Sequence, residues 1–261
     1  MSSPLILSVF PGIDLLGRAF EEEGFCVVRG PDVLWGGDIR RFHPPAGKFG
    51  GLIGGPPCQC FSRLAHMVRH NGYEPKFGNL IPEFERVCLE SQPEWWLMEN
   101  VPDAPLPVVA GYATWSTLLN NRQLGESQNR VRRWTFGVRG ARYKVLMIET
   151  VALEAVAFDY AATGAGRVAV PVALGASGKP KRLRSGRVVD ANRDALALGT
   201  KRSAEGFAAV KKLQGLPEDF ELPPFTVQAK VLAVANGVPL AMGWALAKAV
   251  KEAIEKGRTE T

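Results

Sequence analysis

Among the residues able to do chemistry, Cys58 has the most telling setting. It follows Gly54-Gly55-Pro56-Pro57 at the end of the apolar run Leu52-Ile53. Glycine lets the backbone turn sharply, and a Pro-Pro pair holds the approach extended and stiff. A thiol presented so rigidly suits a nucleophile, while a free cysteine equally serves as a small buried hydrophobe. The local residues leave both roles open. A second concentration lies between Arg122 and Arg142, where six arginines stand against the single acid Glu126. If that segment is a strand, Gln128, Arg130 and Arg132 share one face. Planar guanidinium donors there suit a phosphate or a carbonyl oxygen; a solvated basic edge strand has the same composition. The four cysteines, Cys26, Cys58, Cys60 and Cys88, fit no disulfide framework in a chain this long and point to a reducing compartment. No metal site is expected either, since Cys58 and Cys60 lack a second pair and His43 is remote in sequence from His66 and His70.

These residues need elements to hold them. Leu5 to Phe10 reads as a buried strand, and Pro11-Gly12-Ile13 turns the chain into a helix with Leu16, Ala19 and Phe20 at helical spacing, stopped by Gly24. Phe25 to Val28 is a second strand, ending near Asp32, and Gly37-Asp38-Ile39 follows after a short interval. Leu80, Phe84, Val87 and Cys88 recur at helical spacing, with Pro82 in the first turn, where its missing N–H costs little. Trp95 to Met98 is another buried strand and ends on Glu99. Such alternation implies an α/β fold with parallel strands, whose ligands bind beyond the carboxyl ends of the strands. Gly12, Asp32, Asp38, Cys58 and Glu99 all fall at or just after such ends. That marks an active-site rim.

Further on the texture changes. Residues 157–200 are rich in Ala, Gly and Val, and Gly166 to Arg187 carries six basic and no acidic side chains. A solvated linker and a nucleic-acid-contacting loop region both read this way. Regular structure returns with Leu240, Trp244, Ala247, Val250 and Ile254 at helical spacing. The whole chain, 261 residues at 46% hydrophobic and 22% charged, has an ordinary globular composition. No uninterrupted run of about 18 apolar residues occurs, so no membrane span is expected. The N-terminal residues lack the basic start and long apolar core of a leader, and a cytoplasmic location is expected. A net charge of +6 favours a polyanionic partner and speaks to association, not to fold.

Taken in order, these segments resemble the DNA cytosine-C5 methyltransferase family along nearly the whole chain. The family's cofactor loop is similar to Phe10-Pro11-Gly12-Ile13, and its Gly-Asp-Ile to Gly37-Asp38-Ile39. Its nucleophile motif resembles Pro57-Cys58-Gln59, followed by Phe61-Ser62, and its Glu-Asn-Val resembles Glu99-Asn100-Val101. Gln128, Arg130 and Arg132 match Gln-x-Arg-x-Arg; Leu213-Gln214-Gly215-Leu216-Pro217 and Asn236-Gly237-Val238-Pro239 match two later stretches. Any one triplet is weak, and seven in family order are strong. The sequence departs where the family has two glycines and this chain has Asp14 and Leu15, where a helix between the second strand and Gly37 is lost, and where Ala235 replaces a glycine.

The resemblance implies a Rossmann-like S-adenosylmethionine-dependent methyltransferase sheet, formed by residues 1–150 plus 226–261, with a small, loop-rich target-recognition domain at 151–225. It implies methylation of cytosine C5 in double-stranded DNA, with Cys58 adding to C6, Glu99 holding the base at N3 and the amino group, and Arg130, Arg132 and Gln128 completing the catalytic set. A free thiol with a pKa of about 8.5 is roughly 3% thiolate at pH 7, so Arg130 or Arg132 would help Cys58 ionise. S-adenosylmethionine would contact Phe10, Gly12, Ile13, Asp38, Ile39, Pro57, Leu80 and Asn236, with Asp32 the nearest acid for its ribose. The base must leave the duplex to react. Residues 62–78 would close over it, with Arg63, Arg69 and Lys76 facing phosphates. Lys179, Lys181, Arg182, Arg184 and Arg187 would serve the recognition domain. The protein is expected to be monomeric, in a prokaryote or a phage-infected host, with a cognate restriction endonuclease as a second partner. The competing readings are a DNA-binding protein on this fold with its chemistry lost, and an RNA cytosine methyltransferase.

Overall fold

The structure is a computed structural model that describes residues 5–61, 77–140, 145–153, 161–162, 168–169 and 204–259. Its core is a sheet built from β1 (Leu5–Val9), β2 (Cys26–Arg29), β3 (Gly51–Gly54), β4 (Trp95–Asn100), β5 (Tyr112–Asn120) and β6 (Val131–Arg139), in the order β2-β1-β3-β4-β6-β5. The first four strands run parallel, and β6 and β5 add antiparallel beyond β4. The mixed α/β architecture follows from the pattern of strands. β1, β3 and the start of β4 are continuous apolar runs, buried on both faces, as parallel strands flanked by helices require.

Trp95 and Trp96 explain how the two faces are sealed. Neighbouring residues on a strand point to opposite faces, and each indole meets a different helix. Trp95 stacks on Phe20 of α1 (Leu15–Glu22) at 6.0 Å and lies 6.3 Å from Phe136. Trp96 meets Phe84 of α2 (Ile81–Ser91) edge-on at 5.8 Å. Both indoles need close backbone on the neighbouring strands. A Cβ placed on Gly137 of β6, directly opposite Trp96, would lie 2.1 Å from the ring. Gly137→Ala is therefore expected to destabilise the fold by about 2–3 kcal/mol, the cost of forcing a methyl into a filled core; urea denaturation measures it.

Between β2 and β3 the chain makes only short 3-10 turns at Val33–Trp35 and Ile39–Arg41. The helix missed in the sequence is absent here. The later elements are a small two-stranded ladder, β7 (Ala161–Ala162) with β8 (Val168–Ala169), and helices α3 (Ala204–Leu213), α4 (Val227–Asn236) and α5 (Leu240–Thr259). The stretch Val227–Lys256 is long and apolar enough in composition to cross a membrane, although the sequence reading expected no such span. Gly237 to Pro239 divide it into α4 and α5, and Val231, Val234, Leu246 and Val250 are buried in the protein.

The chain forms two compact units. One comprises Met1–Asn120, Val131–Glu149 and Met242–Thr261; the other comprises Asn121–Arg130 and Thr150–Ala241. Residues 121–130 and 226–241 thus group with the second unit, unlike the division at residues 150 and 226 that the resemblance implies.

Candidate active site

All the rim residues of the first unit stand on the carboxyl ends of the parallel strands. In register, Val9, Gly54 and Met98 are lateral neighbours. The segments that follow them, Phe10–Ile13, Gly55–Cys58 and Glu99–Asn100, therefore emerge side by side. Asn100 ties two of these together. Buried to 1% exposure, it donates from Nδ2 to the Pro56 carbonyl at 3.2 Å and accepts from Val101 N at 2.8 Å. The stiffness read from the Pro-Pro pair is thus reinforced from β4. Cys58 opens a single 3-10 turn, Cys58–Cys60, directly after Pro57, and is half-buried.

Glu99 lies one residue before Asn100, and its Oε1 pairs with Arg132 Nε of β6 at 2.8 Å. Their side chains are only 15% and 18% exposed, so the pair is oriented and partly desolvated, unlike a surface ion pair. The double glycine has a second use here. A Cβ on Gly55 would come within 3.1 Å of Glu99 Oε2, so the small residue leaves the carboxylate room. A thiol on a braced turn and a carboxylate held by a guanidinium thus stand on neighbouring strand ends, an arrangement able to supply a nucleophile and a proton-handling group.

Cys60 behaves differently from Cys58. Its Sγ donates to the Phe77 carbonyl at 3.0 Å, a structural contact. Cys88 is fully buried, and burial pushes its thiol up to about 12. At pH 8 iodoacetamide should therefore modify exposed Cys26 in the native protein and leave Cys88 untouched until denaturant is added, which peptide mass spectrometry resolves. Among the described residues no group of three His, Cys, Asp or Glu side chains could hold a metal ion.

The arginine segment is not one continuous face. β6 begins at Val131, whose last partner is Asn120, so Gln128 and Arg130 precede the strand. Arg132 belongs to the first unit, while Gln128 and Arg130 belong to the second. There Gln128 is 1% exposed and donates to the Leu213 carbonyl at 2.6 Å. Arg130 donates to the Ala235 and Gly237 carbonyls at 3.0 and 3.2 Å, the two residues flanking Asn236. Gln214, a residue to which the sequence reading gave no role, donates to the Val234 and Gly237 carbonyls at 2.7 and 3.0 Å. The expected shared face is corrected: Arg132 meets Glu99, Gln128 holds the Leu213 carbonyl, and Arg130 holds backbone on either side of an exposed Asn236.

Of the residues expected to meet a methyl donor, Phe10, Gly12, Asp32, Asp38, Ile39 and Leu80 belong to the first unit and Asn236 to the second. Phe10 and Leu80 pack on the same apolar cluster that contains Ile39. Gly12, at φ +56°, donates to Asp32 Oδ2 at 3.0 Å and accepts from Trp35 Nε1 at 2.7 Å. Trp35 went unnoticed in the sequence because its partner is 23 residues away. Asp32 also accepts from Leu34 N at 2.8 Å. Asp38 caps the turn at Ile39 and pairs with Arg40 at 2.8 Å, whose hydrogen bonds hold its carboxyl below the ordinary carboxylate range. Ile13 and Pro57 are half-buried beside these groups in sequence. A Cβ on Gly12 would meet nothing within 4 Å, so the ground beside the loop is open and leaves room for an adenosyl donor. The positions Arg63, Arg69, Lys76, Lys179, Lys181, Arg182, Arg184 and Arg187 lie outside the described residues.

Residues 35–105, which contain Asp38, Cys58 and Glu99, match the family described as C-5 cytosine-specific DNA methylase. Over these residues the chain is similar to the C-5 cytosine-specific DNA methylases. It is 29% identical over 163 residues to the type II methyltransferase M.FnuDI of Fusobacterium nucleatum, covering 51% of this chain and 46% of that one. It is 29% identical over 147 residues to the orphan methyltransferase M.SPRI of Bacillus phage SPR, covering 49% and 33%. The chain thus spans less than half the length of these methylases. The solved Spodoptera frugiperda DNMT2 shares the fold, with a TM-score of 0.58 at 13% identity over 95% of this chain and 99% of that one. An Entamoeba histolytica methyltransferase, EhMeth, gives a TM-score of 0.58 at 10% identity over 97% and 99%. The likeness to the methylases covers about half of the chain, and the likeness to the solved structures shows the fold.

Proposed function

We propose that the protein methylates carbon 5 of cytosine in double-stranded DNA. The observation that carries this reading is the Glu99–Arg132 pair set on the strand next to the braced Pro56-Pro57-Cys58 turn. The C5 position of an aromatic pyrimidine is a weak nucleophile. Addition of the Cys58 thiolate to C6 forms a C–S bond and turns the ring into an enamine, with its electron density at C5. Glu99 holds the base at N3 and the exocyclic amino group, and a proton on Glu99 shared with N3 offsets the negative charge that arrives with the thiolate. Arg132 fixes the carboxylate and presents its remaining N–H donors toward the base carbonyl. Phe10, Gly12, Asp38, Ile39 and Leu80 would hold S-adenosylmethionine, whose methyl group would pass to C5 with S-adenosylhomocysteine as the leaving group. Transfer of the C5 proton to a water molecule then returns its bonding pair to the ring as the C5–C6 double bond, which expels the Cys58 thiolate.

A target base enters such a site only when flipped out of its duplex, at a cost of a few kcal/mol. The net charge of +6 favours that partner. The named relatives include one type II and one orphan phage methyltransferase, so a cognate endonuclease accompanies this protein only in the first setting. The test is methyl transfer from labelled S-adenosylmethionine to duplex DNA and to transfer RNA. Label in C5 of DNA cytosine is expected. Transfer to RNA alone moves the substrate class, and transfer to neither overturns the enzyme reading.

A further inference from the structure

The loop that leads from β1 into α1 has three residues in the left-handed region within five positions: Phe10 at φ +54°, Gly12 at +56° and Asp14 at +56°. Two of them carry side chains, so the loop is strained unless its surroundings hold it. Asp14 is where that hold is concentrated. It is 5% exposed, its Oδ1 accepts from Ser8 Oγ at 2.7 Å and from Gly17 N at 3.1 Å, and its Oδ2 sits 2.8 Å from Arg29 Nε. Arg29 is itself braced by Glu21 at 2.9 Å. The backbone joins in, with Asp14 N donating to the Pro11 carbonyl at 2.6 Å. Even the next glycine is committed to this arrangement: a Cβ on Gly17 would lie 2.1 Å from Asp14 Oδ2.

We infer that Asp14 is a positioning residue that fixes the Phe10–Ile13 loop in its donor-binding shape before the donor arrives. It links β1 through Ser8, β2 through Arg29 and the first turn of α1 through Gly17, and the loop between them has no freedom to relax. Burial holds the Asp14 carboxyl above the usual carboxylate range, opposed by the Ser8 hydrogen bond and the Arg29 charge. A desolvated carboxylate is kept at this point by its three partners. The inference rests on the methyl-donor reading of the rim, and Asp14 touches the donor only through the loop it shapes.

The test is binding of S-adenosylhomocysteine by calorimetry to the full chain and to Asp14→Ala, Asp14→Asn and Ser8→Ala, with amide hydrogen exchange of each protein alone. Asp14→Ala should weaken binding about tenfold or more, a preorganisation loss, and speed exchange at Gly12 and Gly17. Asp14→Asn, which keeps an acceptor and tolerates the left-handed backbone, should recover part of the affinity. A role confined to stability predicts a lower melting temperature with binding unchanged below it; that result, or unchanged exchange in Asp14→Ala, overturns the inference. If Asp14→Ala does not fold, Ser8→Ala carries the comparison, with about threefold weaker binding expected from one lost hydrogen bond and unchanged affinity overturning the idea. If the wild type itself binds no S-adenosylhomocysteine, the donor reading fails, and the exchange measurements still judge Asp14 by themselves.

Discussion

Cys58→Ser should lower methyl transfer to duplex DNA by roughly a thousandfold or more, the scale on which a covalent nucleophile is missed. Oxygen replaces sulfur in a turn whose backbone is held by Pro56, Pro57 and Asn100, so the fold should survive and the loss should fall on the chemistry. DNA affinity should stay within about threefold. A duplex carrying 5-fluorocytosine makes the distinction sharper, because the missing C5 proton leaves the C6–S bond in place. The wild type should give a denaturation-resistant adduct and Cys58→Ser none. An adduct retained in Cys58→Ser would show that another thiol attacks. Cys60→Ser is the control, since a hydroxyl can also donate to the Phe77 carbonyl.

The second large effect is expected at the ion pair. Arg132→Ala removes the group that orients Glu99 and leaves a carboxylate of 15% side-chain exposure without its counter-charge. Single-turnover methyl transfer should fall about a hundredfold, as for loss of a positioned acid. Glu99→Gln keeps the shape and the hydrogen bonding but cannot share a proton with the base, and a similar loss is expected. The two changes should be far from additive, because each disables the same unit. A double variant falling to the product of the single effects would separate the roles assigned here. Arg132→Lys should lie between, since an ammonium keeps the charge and loses the planar fork.

Much of this rim was legible in the sequence because the information is local. Leu52-Ile53 running into Gly-Gly-Pro-Pro-Cys states both a strand and its stiff exit. Trp95-Trp96 in an apolar run states a strand buried on both faces. The contacts that escaped are side chain to backbone and span long stretches of chain. Asp32 reaches Gly12 across 20 residues, Trp35 reaches it across 23, and Gln214 reaches Val234 across 20. No periodicity encodes such ties. Asp14 looked like a departure from a glycine pattern, and only the positions of Ser8 and Arg29 reveal what its carboxylate does.

The arginine segment failed for a different reason. Alternation promised Gln128, Arg130 and Arg132 on one face, but a strand starts where its neighbour begins to pair, here at Asn120 opposite Val131. Periodicity says which residues would share a face and is silent on where the ladder ends.

The two compact units also constrain how this protein could be inherited in pieces. The chain passes between them after Asn120, after Arg130, after Glu149 and after Ala241. A recombination event that exchanged only residues 150–241 would separate Gln214 and Ala235 from Gln128 and Arg130, which hydrogen-bond to their backbone and side chains. Functional shuffling of the second unit must therefore carry residues 121–130 with it. A graft that honours that rule keeps these buried hydrogen bonds, and one that ignores it takes the partners of Gln128 and Arg130 away.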